Sequence, residues 1–128
     1  MTNSAPGFKK YPGHSVSANP SSAHVKVMLG GEVIADTREA IELHESMGQG
    51  KKTLAPVVYY IPRKDVKMDR LVRSAHQTHC PFKGDASYFS LVDGPENAVW
   101  SYETPYDEMR AIRERLAFYP DKFEIKSS

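Results

Sequence analysis

His24-Val-Lys-Val-Met-Leu-Gly-Gly-Glu-Val-Ile-Ala-Asp36 is the stretch whose reading decides the fold. Val25, Val27 and Leu29 recur with the period-two spacing of a half-buried strand. Gly30-Gly31 then offers the two positive-φ positions of a tight turn before the chain resumes at Glu32. A β-hairpin over His24–Asp36 follows. Downstream, Ala86–Leu91 and Ala98–Tyr102 are strand-like runs separated by Asp93-Gly-Pro-Glu-Asn97, whose residue types are those of turns, so the two are expected to pair. Val57–Ile61 is an apolar, β-rich run stopped by Pro62. After it, Arg63-Lys-Asp65 reads as a turn and Val66, Met68 and Leu71 as another strand. Thr37–His44 fits a short helix through Ala40, Ile41 and Leu43, or a strand through Ile41 and Leu43, with the strand preferred.

Near the end of the chain, Thr104 has the chemistry of a helix cap, with Pro105 at the first helical position and Asp107 three residues after the cap. Met109, Ile112 and Leu116 continue as an apolar stripe, which predicts one short helix near residues 105–115. Ala117-Phe-Tyr119, the turn Pro120-Asp121, and Phe123 and Ile125 alternating with charges read as a final hairpin. Residues 1–13, with Pro6, Gly7, Pro12 and Gly13, read as a flexible tail, and Asn19–Ser22 as a turn-like cluster. The fold class is therefore mainly β: a single compact domain of antiparallel sheets over residues 14–126 with one short helix.

Composition narrows the function. A chain of 128 residues buries one core of moderate size. Its net charge of +1 comes from 17 basic and 16 acidic residues that are interspersed, so nothing favours nucleic acid or an anionic membrane as partner. No apolar run approaches the ~18 residues of a membrane span, and no signal-peptide stretch opens the chain. A soluble, intracellular, cytoplasmic protein is expected. The single cysteine, Cys80, excludes an internal disulfide and a four-cysteine zinc site. Gly48-Gln-Gly-Lys-Lys-Thr53 fails as a phosphate loop because Glu45 stands where that motif needs glycine and Lys52 where it needs serine or threonine. His44, His76 and His79 have the residue types of a metal site but not its spacing, and hydrogen-bonded histidines are the plainer reading. No metal and no cofactor are expected.

Five strings resemble the Domain of unknown function 427 family: Gly31-Glu-Val-Ile-Ala-Asp36, Tyr59-Tyr-Ile-Pro-Arg63, Thr78-His-Cys-Pro-Phe-Lys-Gly84, Ala98-Val-Trp-Ser-Tyr102 and Ala117-Phe-Tyr-Pro-Asp121. Their order matches too, and the likeness runs from about His14 to Ile125. It implies a twisted β-tent-like fold in which two sheets lean together over a pocket. Some relatives of that fold hold zinc through two Cys-x-x-Cys knuckles, and neither is present here. The family also carries a nucleotidyltransferase-like label, yet the sequence has neither a phosphate-cradling glycine loop nor paired aspartates.

The residues that can carry chemistry gather in two places. Cys80 follows His79 and precedes Lys83, so a neighbouring cation could activate its thiol, although adjacent strand residues face opposite ways. Tyr60, Tyr88, Trp100 and Tyr102 lie on predicted strands, with Trp100 and Tyr102 on one face. Strand aromatics commonly pack a core. Beside Arg63, His79, Lys83 and the tyrosine hydroxyls, however, they suit a pocket for a planar, anionic or carbonyl-bearing ligand. The leading expectation is a small-molecule binding module using Tyr60, Arg63, His79, Cys80, Lys83, Tyr88, Trp100 and Tyr102. An enzyme of group transfer or hydrolysis, with His79 as acid or base and Cys80 as nucleophile, is the second. A protein-interaction module, with the tail as docking segment for an unnamed partner, is the third.

Overall fold

The computed structural model describes residues 3–46 and 57–128. The phosphate-loop-like string at 48–53 lies outside these residues. Among the described residues, ten strands form three antiparallel sheets: β1 (Ser15–Pro20), β4 (Ile41–Ser46) and β5 (Val58–Tyr60); β10 (Glu124–Ser127), β2 (Val25–Leu29) and β3 (Glu32–Thr37); and β6 (Leu71–Cys80), β7 (Gly84–Leu91), β8 (Val99–Ser101) and β9 (Ala117–Phe118). Among the described residues no helix is long and apolar enough to cross a membrane.

The decisive hairpin is as read. Leu29 pairs with Glu32, which leaves Gly30 at φ 56° and Gly31 at φ 86° as the loop. The β2–β3 register then slips between Val27 and Met28, so that Ile34 and Ala35, adjacent in sequence, are both buried. The β7–β8 pairing and the preference for a strand at β4 also hold.

The four-stranded sheet has a core on each face. Phe89, Val99 and Phe118 pack with Val25, Val27, Ile34 and Ala35 of the β2–β3 sheet. On the other face Ala86, Tyr88 and Ala117 pack with Ile41, Leu43 and Tyr60 of the β4–β5 sheet. β5 feeds both cores, because Tyr60 points one way and its neighbours Tyr59 and Ile61 the other.

Four local expectations are corrected. The run from Val66 to Leu71 is not one strand: Val66 makes a single bridge to Ala35, Met68–Arg70 is a 3₁₀ turn, and β6 starts only at Leu71. Arg70 fixes that turn by donating to Glu32 and to the Val92 carbonyl. The short helix near 105–115 forms, as a kinked 3₁₀ run, Asp107–Ile112, but the expected Thr104 cap does not, since the run has no side-chain cap. Thr104–Tyr106 is committed elsewhere, since Tyr106 N donates to the Lys83 carbonyl and the Pro105 backbone lies against Gly84. Met109 and Ile112 are the buried stripe, while Leu116 lies past the helix and bridges Ile61. The final hairpin does not form either: β9 pairs with β8 and β10 with β2, because the long free edge of β2 takes Ile125 opposite Val27. Lastly, part of the Asn19–Ser22 turn belongs to a strand, β1, in full register with β4 from Ser15↔Ser46 to Pro20↔Ile41.

The segment expected as a flexible tail is packed over the residues described. Pro6–Lys10 forms α1, a single turn of helix with Gly7 pressed against Phe82 and Gly7 N donating to the Pro81 carbonyl. Asn3 N and Ala5 N donate to the carboxylates of Asp107 and Glu108 at 2.7 and 2.9 Å.

Candidate functional site

The register of β6, β7 and β8 decides which side chains meet. Thr78 opposes Ala86, Cys80 opposes Gly84, and Tyr88 opposes Trp100. Thr78, Cys80, Tyr88, Trp100 and, one step past β8, Tyr102 therefore share the face that looks toward Tyr60. Hydroxyls link up there: Thr78 to Tyr88 at 3.0 Å and Tyr88 to Tyr119 at 3.4 Å. Trp100 Nε1 donates to the Tyr60 hydroxyl at 3.2 Å, which leaves the Tyr60 proton free to donate in turn. Tyr102 is only 8 % exposed, and its hydroxyl makes no hydrogen bond among the described residues.

Burial holds the phenols of Tyr60, Tyr102 and Tyr119 in the neutral, proton-donating form. It raises Tyr60 far above the ordinary phenol value against the opposing Trp100 hydrogen bond, and the nearby Glu45, Cys80 and Tyr88 add to the rise. It raises Tyr102 as strongly, with Tyr60, Cys80, Tyr88 and Glu45 contributing. Tyr119 is pushed to about 12 by burial and by its bond to Tyr88.

A short ionic chain closes one end of this face. The hairpin loop Pro81–Lys83 turns back through Lys83 N donating to the Cys80 carbonyl, and Gly84 at φ 116° resumes the strand. Lys83 is thereby folded inward, 8 % exposed, with Nζ 3.0 Å from Glu45 Oε1 and 3.8 Å from Cys80 Sγ. Glu45 extends the inward row Ile41, Leu43 of β4, and its other oxygen meets His14 Nε2 at 2.8 Å. The His14 ring stacks on Phe82 at 3.8 Å, so the start of the domain braces the loop that carries Lys83. Burial opposes the charge on Glu45, but Lys83 and then His14 outweigh it, and the carboxyl sits below its ordinary range.

Six of the eight expected ligand-binding residues thus lie on this face or at its end: Tyr60, Cys80, Lys83, Tyr88, Trp100 and Tyr102. The structure does not bring Arg63 and His79 to them. Arg63 is on the reverse face of the sheet, donating to Ser101, Glu103 and the Glu114 carbonyl, with its guanidinium over Phe89. His79 points away from Cys80, is exposed, and bonds Asp85 at 2.7 Å with its ring edge-on to Tyr106. His44 and His76 are apart again, one bonded to Glu42 and the other against the Tyr88 ring. Among the described residues no group of three or more His, Cys, Asp or Glu side chains could hold a metal ion. Glu45 and His14 are site residues that sequence reasoning missed. The available signal was a carboxylate in phase with Ile41 and Leu43 on a strand.

Trp100 also reaches a second feature. Its ring, against Tyr119 at 4.5 Å, forms one wall of an apolar crevice of about 260 Å³ with Val27, Tyr59, Phe118, Pro120 and Ile125. The indole therefore stands between an apolar crevice and a hydrogen-bonding tyrosine layer.

Comparison with known families is consistent with this organisation. The family described as Domain of unknown function (DUF427) matches residues 17–127, nearly the whole chain, and the chain belongs to that family. No curated protein matches it.

Proposed function

We propose that this member of the Domain of unknown function family binds a small planar molecule with hydrogen-bonding groups. The site would be the face lined by Tyr60, Tyr88, Trp100 and Tyr102 and closed by Cys80, Lys83 and Glu45. The β-tent arrangement implied by the sequence resemblance, with sheets leaning over a pocket, is part of this reading. The observation that carries it is the convergence on one face of the hydrogen-bonding groups of Tyr60, Tyr88 and Trp100 with the Tyr102 hydroxyl, which is neutral and without a hydrogen-bond partner among the described residues. A hydroxyl without a protein partner can donate to a ligand oxygen. An anionic ligand is less favoured than a neutral one, since Arg63 and His79 lie elsewhere and Lys83 is neutralised by Glu45. Pairing of His79 with Cys80 in catalysis draws no support, because the two side chains face opposite ways.

The test follows intrinsic Trp100 fluorescence during titration with a panel of planar carbonyl compounds. A saturable change is expected, weakened about tenfold in Tyr102→Phe by loss of one hydrogen bond and unaltered in His79→Ala. Equal affinity of wild type and Tyr102→Phe, or no response across the panel, would reject the reading.

A further inference from the structure

We infer that the apolar crevice beside Trp100 is a second ligand site, one that takes a medium-chain aliphatic molecule. It is separate from the tyrosine face and does not depend on the reading given for that face. The crevice follows from the sheet topology. β5, β9 and β10 are each the last strand of their own sheet, and residues on or just past all three line it: Tyr59 and Ile61, Phe118 and Pro120, and Ile125. Close-packed interiors hold few voids larger than a water molecule. Where these three sheet ends meet, the side chains leave an opening of about 260 Å³.

The walls decide what enters. No charged side chain lines the crevice among the described residues, so its occupant is hydrocarbon where it meets the wall. Val27, Ile61 and Phe118 are its inner lining, at 1, 0 and 3 % exposure, while Val57 and Pro120 are exposed at the rim. The apolar surface is therefore recessed, within reach of a small molecule but not of a flat protein surface. The aromatic rings of the wall are already engaged, Phe118 edge-on to Phe123 at 5.2 Å and Trp100 against Tyr119 at 4.5 Å. Trp100 Nε1 is bonded to Tyr60, so the indole offers the crevice only apolar surface. An alkyl chain needs close contact but no stacking partner, and it suits walls made mainly of Val27, Val57, Ile61, Pro120 and Ile125 better than a flat ring does. An apolar cavity of ~150 Å³ admits a benzene ring, so the volume here corresponds to a chain of roughly ten carbons.

1-Octanol is the probe, titrated against the full chain while Trp100 fluorescence and melting temperature are followed together. A saturable fluorescence change with a rising melting temperature is expected, because a ligand that binds only the folded state stabilises it. Affinity should grow about fourfold per methylene from 1-butanol to 1-octanol, the gain for burying one more CH₂. Two variants narrow or spoil the crevice from different sides. Ile125→Phe fills it from β10, and Val57→Asp sets a charge at the exposed rim, where folding tolerates the change; each should weaken 1-octanol about tenfold or more. No saturable change, a melting temperature that only falls, or an affinity untouched by both variants overturns the inference. So does displacement of 1-octanol by benzamide, which would put the alcohol on the tyrosine face, and so does a concentration-dependent dimer lost in Ile125→Phe, which would give the crevice to a second copy of the chain. Binding of 1-octanol with no response to planar carbonyl compounds rejects the reading of the tyrosine face and upholds this one.

Discussion

Replacing Lys83 by Met tests whether the ionic chain at the end of the tyrosine face organises it. Methionine keeps the length and flexibility of the lysine stem and removes only the charge. Lys83 is 8 % exposed and its bond to Glu45 is 3.0 Å long. Removing one partner of a fully buried pair costs about 3–5 kcal/mol. Glu45, however, retains a quarter of its side-chain exposure and its contact with His14, so roughly 1–2 kcal/mol is expected near neutral pH. The pH dependence carries the diagnosis. In the native protein the Glu45 carboxyl lies below its ordinary value of 4.5, so its stabilising contribution is present above that value and is lost as pH falls through the lower folded one. Without Lys83, burial acts against the carboxylate with only His14 opposing it. The penalty should then be largest near neutrality and shrink toward about pH 4 as the carboxylate protonates. Adding Glu45→Gln removes the stranded charge and should recover most of the loss in a double-mutant cycle of urea unfolding. A penalty equal at both pH values, or one that Glu45→Gln fails to reduce, would refute the argument.

Two further predictions concern the parts that brace this end. In Gly7→Ala the new Cβ would meet the Phe82 ring at 2.6 Å and the Pro81 carbonyl at 2.9 Å, and Phe82 cannot retreat because His14 stacks on it and Phe8 packs edge-on at 5.0 Å. The expected loss is about 1–3 kcal/mol, or undocking of residues 3–13 seen as faster proteolysis there; an unchanged digest and melting temperature would contradict the docking. Glu103 is held at about 2, first by Arg73 and then, against burial, by Arg63 and Ser87. Its contribution is therefore complete above the ordinary carboxyl value of 4.5 and disappears as pH falls toward about 2, so Glu103→Gln should flatten the acid limb of the stability curve between those values.

Much of the fold was legible because short-range chemistry dictates it. Gly30-Gly31 admits few outcomes between two alternating runs, and Asp93 and Asn97 both adopt positive φ in the turn that their types announce. What could not be read were choices between partners far apart in the chain. Ile125 has the alternation of a hairpin strand, but whether it pairs with Phe118 or with Val27 depends on an open edge built about 100 residues earlier. Ser15–Pro20 carries only Val16 and Ala18 as apolar markers, too few to announce a strand, and becomes one because β4 offers it a full ladder.

The candidate site divides along the same line. The period-two rule placed Trp100 with Tyr102 and separated His79 from Cys80, since both statements concern neighbours on one strand. Arg63 was grouped with Trp100 on chemical suitability, a guess that strand phase could not check because Arg63 lies beyond the end of β5 in a 3₁₀ turn. The phase of β4, by contrast, already set Glu45 on the inward row of Ile41 and Leu43, and a carboxylate there demands a cation. The nearest string rich in candidates was Thr78-His-Cys-Pro-Phe-Lys-Gly84, whose Lys83 answers that demand. The pairing of an inward acid with a loop lysine is thus a physical requirement written in the sequence, and it ties the only cysteine to the tyrosine layer through the residue that satisfies it.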